Sequence, residues 1–258
     1  MQLTNKTILV TGGTSGIGFA FAERFLDMGN TVIITGRSRQ RIEAAVQKAP
    51  GLIGMTLDVS DSESVQRLAG QLALHYPQLD LVFNNAGILH EFDLFDPSVT
   101  YERIGAEIHT NLNGTVYVTK ALLPLLAERS EAMIVNVSSL LANISVANAP
   151  TYSATKAGVH MFSDALREQI RARGKKIHVM ELCPPIITET DLTETYDEGF
   201  LNKRIALPLP KLVEAGIRGI EKNKLRVNPG FAKPMRFFMK FAPDFITHAW
   251  AKTILESR

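Results

Sequence analysis

The chain has one cysteine, Cys183, among its 258 residues. That excludes an internal disulfide framework and any metal site built from several thiolates. Net charge is small: 28 Lys and Arg stand against 26 Asp and Glu, leaving +2. No field of that size argues for a nucleic-acid partner. Long apolar runs are missing too. The longest uncharged stretch, Ala132–Thr155, carries Asn136, Ser138, Ser139, Asn143, Ser145, Asn148 and Pro150, which is too polar for a bilayer span. The opening Met-Gln-Leu-Thr-Asn-Lys-Thr lacks the apolar centre of a signal peptide. A cytoplasmic, reducing setting is therefore the expectation. The six histidines show no ligand spacing, so no metal is expected. No linker, repeat or low-complexity tract interrupts the chain.

What remains is a foldable composition, 45% hydrophobic and 21% charged. Short β-branched runs alternate with longer amphipathic stretches. Strands are predicted at Thr7–Thr11, Thr31–Thr35, Leu52–Leu57, Leu79–Phe83, Met133–Val137 and Lys176–Leu182. Helices are predicted at Ile17–Met28, Arg41–Lys48, Ser62–Leu74, Tyr101–Ala127 and Thr151–Ala172, with a further surface helix from Pro210. Strands that are apolar throughout need cover on both faces. The pattern therefore predicts an α/β fold: one domain over residues 1–258, a doubly wound parallel sheet with helices on both faces. Ligands on such sheets bind at the carboxyl ends of the strands.

The first of these ends is Thr11-Gly12-Gly13-Thr14-Ser15-Gly16-Ile17-Gly18. Glycines allow a tight turn and close approach of a pyrophosphate, and the helix that follows offers its free N–H groups. The second strand ends at Gly36-Arg37 with no acid before Glu43. Glycine leaves room and Arg37 offers a cationic fork, with Ser15 adding a hydroxyl, so NADP(H) is favoured over NAD(H). Asp58 ends the third strand and suits an adenine amino group, with Val59 behind the ring; the other reading of Asp58 is a helix N-cap. Asn84-Asn85-Ala86-Gly87 closes the fourth strand with small residues that let a ligand lie close. Asn84 is equally suited to tying strands together.

Tyr152 and Lys156 are spaced i, i+4 on one helix face. An ammonium beside a phenol favours the phenolate and brings an acid/base group towards working pH. Ser139 follows the preceding strand, where its hydroxyl can reach the same substrate oxygen. Cys183 has no histidine partner in sequence and reads as inert packing.

The ordered set TGGTSGIG, LDV, NNAG, NLNG, NVSS and YSATK, from Thr7 to about Thr190, resembles the short-chain dehydrogenase/reductase family. The resemblance implies a Rossmann-like sheet of about seven strands. It implies Tyr152 as proton donor and acceptor, with Lys156 lowering its pKa and holding the nicotinamide ribose. Ser139, rather than Ser138, orients the substrate oxygen, and Asn111 holds a relay water. It implies cofactor contacts from Gly12, Thr14, Ser15, Gly16, Ile17, Gly18, Arg37, Asp58, Val59, Asn85, Ala86 and Gly87. The reaction implied is hydride transfer between nicotinamide and a carbonyl or secondary alcohol. A non-catalytic NAD(P)-binding regulator is the alternative, and the intact Ser139, Tyr152, Lys156 and Asn111 set argues against it.

One departure stands out. The family's usual Pro-Gly is here Pro184-Pro185, and the threonine that contacts the carboxamide is Thr188 or Thr190. Pro-Pro together with Arg226-Val-Asn-Pro-Gly230 is similar to a subgroup found beside cell-wall D-alanylation genes. A substrate lid is expected over residues 186–210. Leu140, Leu141, Ile144, Pro185 and Phe200 suggest a pocket for a substrate with an apolar part. The apolar tail, residues 231–258, needs burial. It can cap the pocket, pack in a homodimer or homotetramer, or lie on a membrane surface.

Overall fold

The computed structural model describes residues 1–190, 206–239 and 241–256. One parallel sheet runs β3-β2-β1-β4-β5-β6-β7. Its strands are β1 (Thr7–Val10), β2 (Thr31–Gly36), β3 (Ile53–Thr56), β4 (Leu79–Asn84), β5 (Ala132–Val137), β6 (Ile177–Leu182) and β7 (Arg226–Val227). The helices are α1 (Gly16–Asp27), α2 (Arg39–Lys48), α3 (Ser62–His75), α4 (Tyr101–Glu107), α5 (Gly114–Ala127), α6 (Pro150–Ala172), α7 (Leu209–Glu221), α8 (Ala232–Phe238) and α9 (Pro243–Glu256). No helix among the described residues is long and apolar enough to cross a membrane.

Alternation along the strands explains the two layers. Val10, Phe83, Val135 and Leu182 face α1 and α7, where they meet Phe21, Phe25, Leu212 and Ile220. Leu9, Val82, Ile134 and Val179 face α3, α5 and α6, where they meet Leu68, Leu122 and Leu166. Phe21 and Phe83 have ring centroids 4.5 Å apart at the middle of the first layer. Burial of each such ring contributes roughly 2–3 kcal/mol.

Strand β1 pairs with β2 on one side and β4 on the other. The chain winds outwards to β3, then returns to the centre at β4. That reversal opens a crevice at the carboxyl ends of β1 and β4. The long helix expected over Tyr101–Ala127 is interrupted by a π segment, Ile108–Asn113. Thr115 Oγ1 donates to the Asn111 carbonyl at 2.9 Å within that wide turn. Gly114 packs where a Cβ would lie 2.7 Å from Val59 Cγ2. Periodicity alone does not reveal an extra residue in a turn.

Buried polar ties lock the centre. Asn84 Nδ2 donates to Asn136 Oδ1 at 2.9 Å and to Thr119 Oγ1 at 3.1 Å, so Asn84 acts as a tie between strands. Glu181, fully buried on β6, accepts from Ser138 Oγ at 2.7 Å and Arg226 Nε at 2.9 Å. His160 Nδ1 lies 2.8 Å from the same carboxylate. These contacts hold β5, β6, β7 and α6 together.

Candidate active site

A cleft of about 990 Å³ runs across the carboxyl ends of the strands. At one end the turn after β1 places Gly12, Thr14, Ser15, Gly16 and Ile17 on its wall. Gly12 has φ +63°, and a Cβ there would stand 2.9 Å from Ala86 Cα. Thr11 Oγ1 accepts from the amides of Asn85 and Ala86 at 3.0 and 3.1 Å. Asn85 Nδ2 donates to the carbonyls of Thr11 and Gly12 at 3.1 and 3.0 Å. The two turns are thereby sewn side by side. Ser15 is the N-cap of α1, yet its side chain makes no capping bond. The opening amides of α1 and the Ser15 hydroxyl are thus left for a ligand, an arrangement suited to an anion. Gly18 does not line the cleft. It packs beneath, where a Cβ would meet the Gly12 carbonyl oxygen at 2.3 Å.

Arg37 is exposed on the same wall, beside Ser38 and Arg41. Arg39 pairs with Glu43 at 2.8 Å. Among the described residues neither Arg37 nor Arg41 is ion-paired. Asp58 and Val59 line the next stretch. Asp58 Oδ1 accepts from the Ser60 amide and hydroxyl at 2.9 and 2.6 Å. Asp61 caps α3, so Asp58 is not the cap.

At the far end Ser139, Tyr152 and Lys156 converge with Ala86 and Gly87. Ser139 stands just after β5; Tyr152 and Lys156 lie one turn apart on α6. The Ser139 hydroxyl and the Tyr152 phenol share this end of the cleft, and the serine favours the ionised phenol. Ser138 is turned towards Glu181 instead. Lys156 Nζ donates to the Val137 carbonyl at 3.0 Å and stands 5.5 Å from the centre of the phenol ring.

The proton affinities differ from the expectation drawn from spacing. Burial pushes the Tyr152 phenol above its usual value, against the opposing hydrogen bond from Ser139. Burial also pulls the Lys156 ammonium down to about 8, opposed by the charge of Glu107. In this buried pocket desolvation outweighs the help one ammonium gives a phenolate. Burial likewise pushes the Cys183 thiol up, in keeping with an inert packing role.

Pro184 and Thr190 line the cleft, whereas Thr188 does not. The Thr188 amide is bonded to the Leu207 carbonyl at 3.3 Å. Asn111 also stands behind the wall. Its Oδ1 accepts from the Ile88 amide at 2.8 Å, and its Nδ2 donates to the Ile88 carbonyl at 2.9 Å. Leu140, Leu141 and Pro185 line the substrate end. Ile144 belongs to the cluster underneath, with Leu89, Val146 and Tyr152. Phe200 and most of the expected lid, residues 191–205, lie outside the described residues.

Part of the tail joins this end. Phe231 lines the cleft, and Ala232, Met235, Met239 and Ile246 pack on the cluster around Leu141 and Tyr152. The opposite side of the tail presents Phe237, Phe238, Phe241 and Phe245 outwards. Sequence reading missed Ser38, Arg41, His90 and Thr110 in the wall, and left open whether the tail that begins at Phe231 caps the pocket. Arg41 carried a signal: it stands three residues beyond Ser38, one turn into a helix that starts at the mouth of β2.

Comparison with known proteins gives a consistent result. The sequence model of the short chain dehydrogenase family matches residues 6–199. An uncharacterized oxidoreductase DltE from Bacillus subtilis is 39% identical over 227 residues, 88% of this chain and 89% of that protein. The NADP-dependent 3-hydroxy acid dehydrogenase YdfG from Salmonella typhi is 30% identical over 193 residues, 74% of this chain and 77% of that one. A short chain dehydrogenase from Burkholderia cenocepacia, solved in complex with NADP, superposes with a TM-score of 0.81 at 20% identity. That match covers 97% of this chain and 99% of the other and speaks to the fold.

Proposed function

The chain belongs to the short-chain dehydrogenase/reductase family and is an oxidoreductase of the CH–OH class, and from that premise we propose the residues, cofactor and substrate class of its reaction. The observation that carries the proposal is the convergence of Ser139 and Tyr152, with Lys156 one turn away, in a cleft whose other end is the uncapped start of α1.

A nicotinamide dinucleotide supplies or accepts the hydride when bound. The residues present fit one. The close approach at Gly12 admits a diphosphate backbone, the opening amides of α1 meet its charge, and Asp58 with Val59 offers an acceptor and an apolar wall for a base. Arg37, Arg41 and Ser38 provide for a further phosphate, which supports NADP(H). The relative YdfG is named as NADP-dependent.

In reduction Tyr152 gives its phenolic proton to the substrate oxygen, and Ser139 holds that oxygen by a second hydrogen bond. The protonated phenol favoured by burial is the form this direction needs. Lys156, with N–H groups to spare beyond the one on Val137, would hold the ribose of the bound dinucleotide and resupply the proton to Tyr152. Asn111 fixes Ile88 from behind. Its main-chain carbonyl accepts from Thr115 and keeps a lone pair for a relay water.

Leu89, Leu140, Leu141 and Phe231 give the substrate end an apolar wall, with His90 a polar exception. The substrate is therefore a carbonyl compound or secondary alcohol with an apolar portion, and 3-oxo and 3-hydroxy acids head the panel to test. A cytoplasmic homo-oligomer belongs to the same reading. Ile108, Tyr117 and Met161 expose apolar surface on α5, α6 and the segment between α4 and α5, as a self-association face would. The decisive experiment follows NADPH and NADH absorbance against a carbonyl panel for the wild type and Tyr152→Phe. Turnover lost with the phenol, and dinucleotide binding retained, is the expected result. Near wild-type turnover without the hydroxyl overturns the assignment.

A further inference from the structure

The acid/base couple leaves one buried acid without a task. Glu107 ends α4 and is 0% exposed. Its Oε1 accepts from the His90 amide at 2.6 Å, while its Oε2 is buried with no hydrogen-bond partner. One turn further on, Asn111 grips the amide and carbonyl of Ile88. Together the two side chains hold the Ile88–His90 wall of the cleft from behind.

The same helix face looks onto the ammonium. Gly87 begins that wall and has no side chain to intervene. A Cβ there would stand 3.3 Å from Asn111 Oδ1 and 3.5 Å from Lys156 Nζ.

Holding an amide does not require a carboxylate; a glutamine oxygen would accept the same bond. A desolvated carboxyl with an unpartnered oxygen is costly, so its charge is the property left to explain. Burial raises the Glu107 carboxyl above its ordinary value, and the His90 amide and the charges of Arg103 and Lys156 pull it back down. Four titratable or charged groups act on Glu107 or feel its charge. They are Lys156 and Tyr152 on α6, Arg103 on its own helix, and His90 on the wall. Arg103 is exposed and spends Nη2 on the Glu91 carbonyl at 3.2 Å. His90 Nδ1 is itself buried without a partner. Lys156, 4% exposed, is the buried cation of the four.

We propose that Glu107 is the buried counter-charge of Lys156 and fixes the pH range in which the Tyr152–Lys156 couple transfers its proton. It is a positioning residue, acting through Lys156 without touching substrate. Its charge keeps the ammonium protonated where burial alone would neutralise it, and it favours the neutral phenol. Both effects support the proton-donating form. The proposal rests on the acid/base assignment of Tyr152 and Lys156, which Tyr152→Phe tests separately.

The experiment titrates protein labelled with 13Cε-lysine by NMR, with Lys156 assigned from Lys156→Arg. Wild type, Glu107→Gln and Glu107→Asp are compared, and pH profiles of kcat are recorded on the same variants. Glutamine keeps an acceptor for His90, so a structural role alone predicts no change. The Lys156 transition, near pH 8 in the wild type, is expected to move down by about one unit in Glu107→Gln. It should stay near the wild-type position in Glu107→Asp, and the alkaline limb of reduction should follow. No movement in the glutamine variant, or equal movement in both, overturns the proposal. Should Glu107→Gln fail to fold, the wild-type Glu107 carboxyl resonance decides. An ionised carboxyl throughout the Lys156 transition supports the proposal, and a protonated one sinks it. Turnover surviving in Tyr152→Phe would remove the acid/base assignment while leaving the Glu107–Lys156 coupling measurable.

Discussion

Lys156 Nζ donates to the Val137 carbonyl oxygen at 3.0 Å, pinning α6 to the end of β5. One interaction thereby sets the height of the ammonium and, one turn back, of the Tyr152 hydroxyl above the cleft. Lys156→Met removes both the pin and the charge. The expected loss in kcat is at least about 100-fold, with the melting temperature checking that the fold survives. Lys156→Arg should recover the charge but little of the rate, because a planar guanidinium does not reproduce a compact ammonium bonded to Val137.

The two directions of the reaction should respond to pH differently. Burial holds the phenol above its usual value, so it is protonated at neutral pH. Carbonyl reduction needs that form and should stay level through neutrality. Alcohol oxidation needs the phenolate and should rise with pH across the same range. Initial rates in both directions from pH 6 to 9 measure this, and an oxidation rate that falls with pH would contradict the sign.

Arg37 and Arg41 flank Ser38 where β2 gives way to α2. Arg37→Ala and Arg41→Ala should each weaken NADPH by roughly tenfold, the scale of a charge-assisted hydrogen bond, and leave NADH little changed. Binding titrations with both dinucleotides test it. Equal losses would mean that the guanidinium groups do not meet the additional phosphate.

Glu181 predicts an acid limit to stability. Burial pushes its pKa up, but hydrogen bonds from His160 and Ser138 prevail and hold it down to about 2, below its ordinary 4.5. A carboxylate depressed on folding stabilises the protein above its unfolded value and loses that effect as pH falls through the folded one. The contribution should therefore be full above about pH 4.5 and fade towards pH 2. It amounts to at most about 3.5 kcal/mol. Glu181→Gln should flatten this part of the stability curve, as measured by denaturant unfolding at successive pH values.

Phe231 brings α8 to the substrate end of the cleft. Phe231→Ala should raise KM for an apolar carbonyl substrate by roughly tenfold, through lost burial of about 1.5–3 kcal/mol at most. With kcat changed much less, the ring would be shown to bind substrate and transition state alike.

Much of the fold was legible because its signals are local. Runs such as Thr7–Val10 and Leu79–Phe83 are, apart from Thr7 and Asp80, apolar on both sides and too short for helices, so they declare buried parallel strands. Tyr152 and Lys156 share a face by helical arithmetic alone. Gly12 and Ser15 mark a turn into a helix whose start is left open. The two-residue strand β7 was not legible, because Arg226 and Val227 pair with β6 only once the rest of the sheet exists. The π segment was hidden because the turn that widens at Asn111 keeps the helical pattern on either side.

Sequence by itself therefore determined which groups are present: a glycine-rich turn opening a helix, a phenol with an amine one turn away, and a hydroxyl after the preceding strand. Tertiary structure decided how that chemistry is tuned. It showed that Thr190 and not Thr188 reaches the cleft, that Phe231 returns from the tail to form its wall, and that Asn111 and Lys156 close on Gly87 together. It also reversed the expected shift of the phenol, because desolvation depends on everything packed around a group and not on its neighbours along the chain.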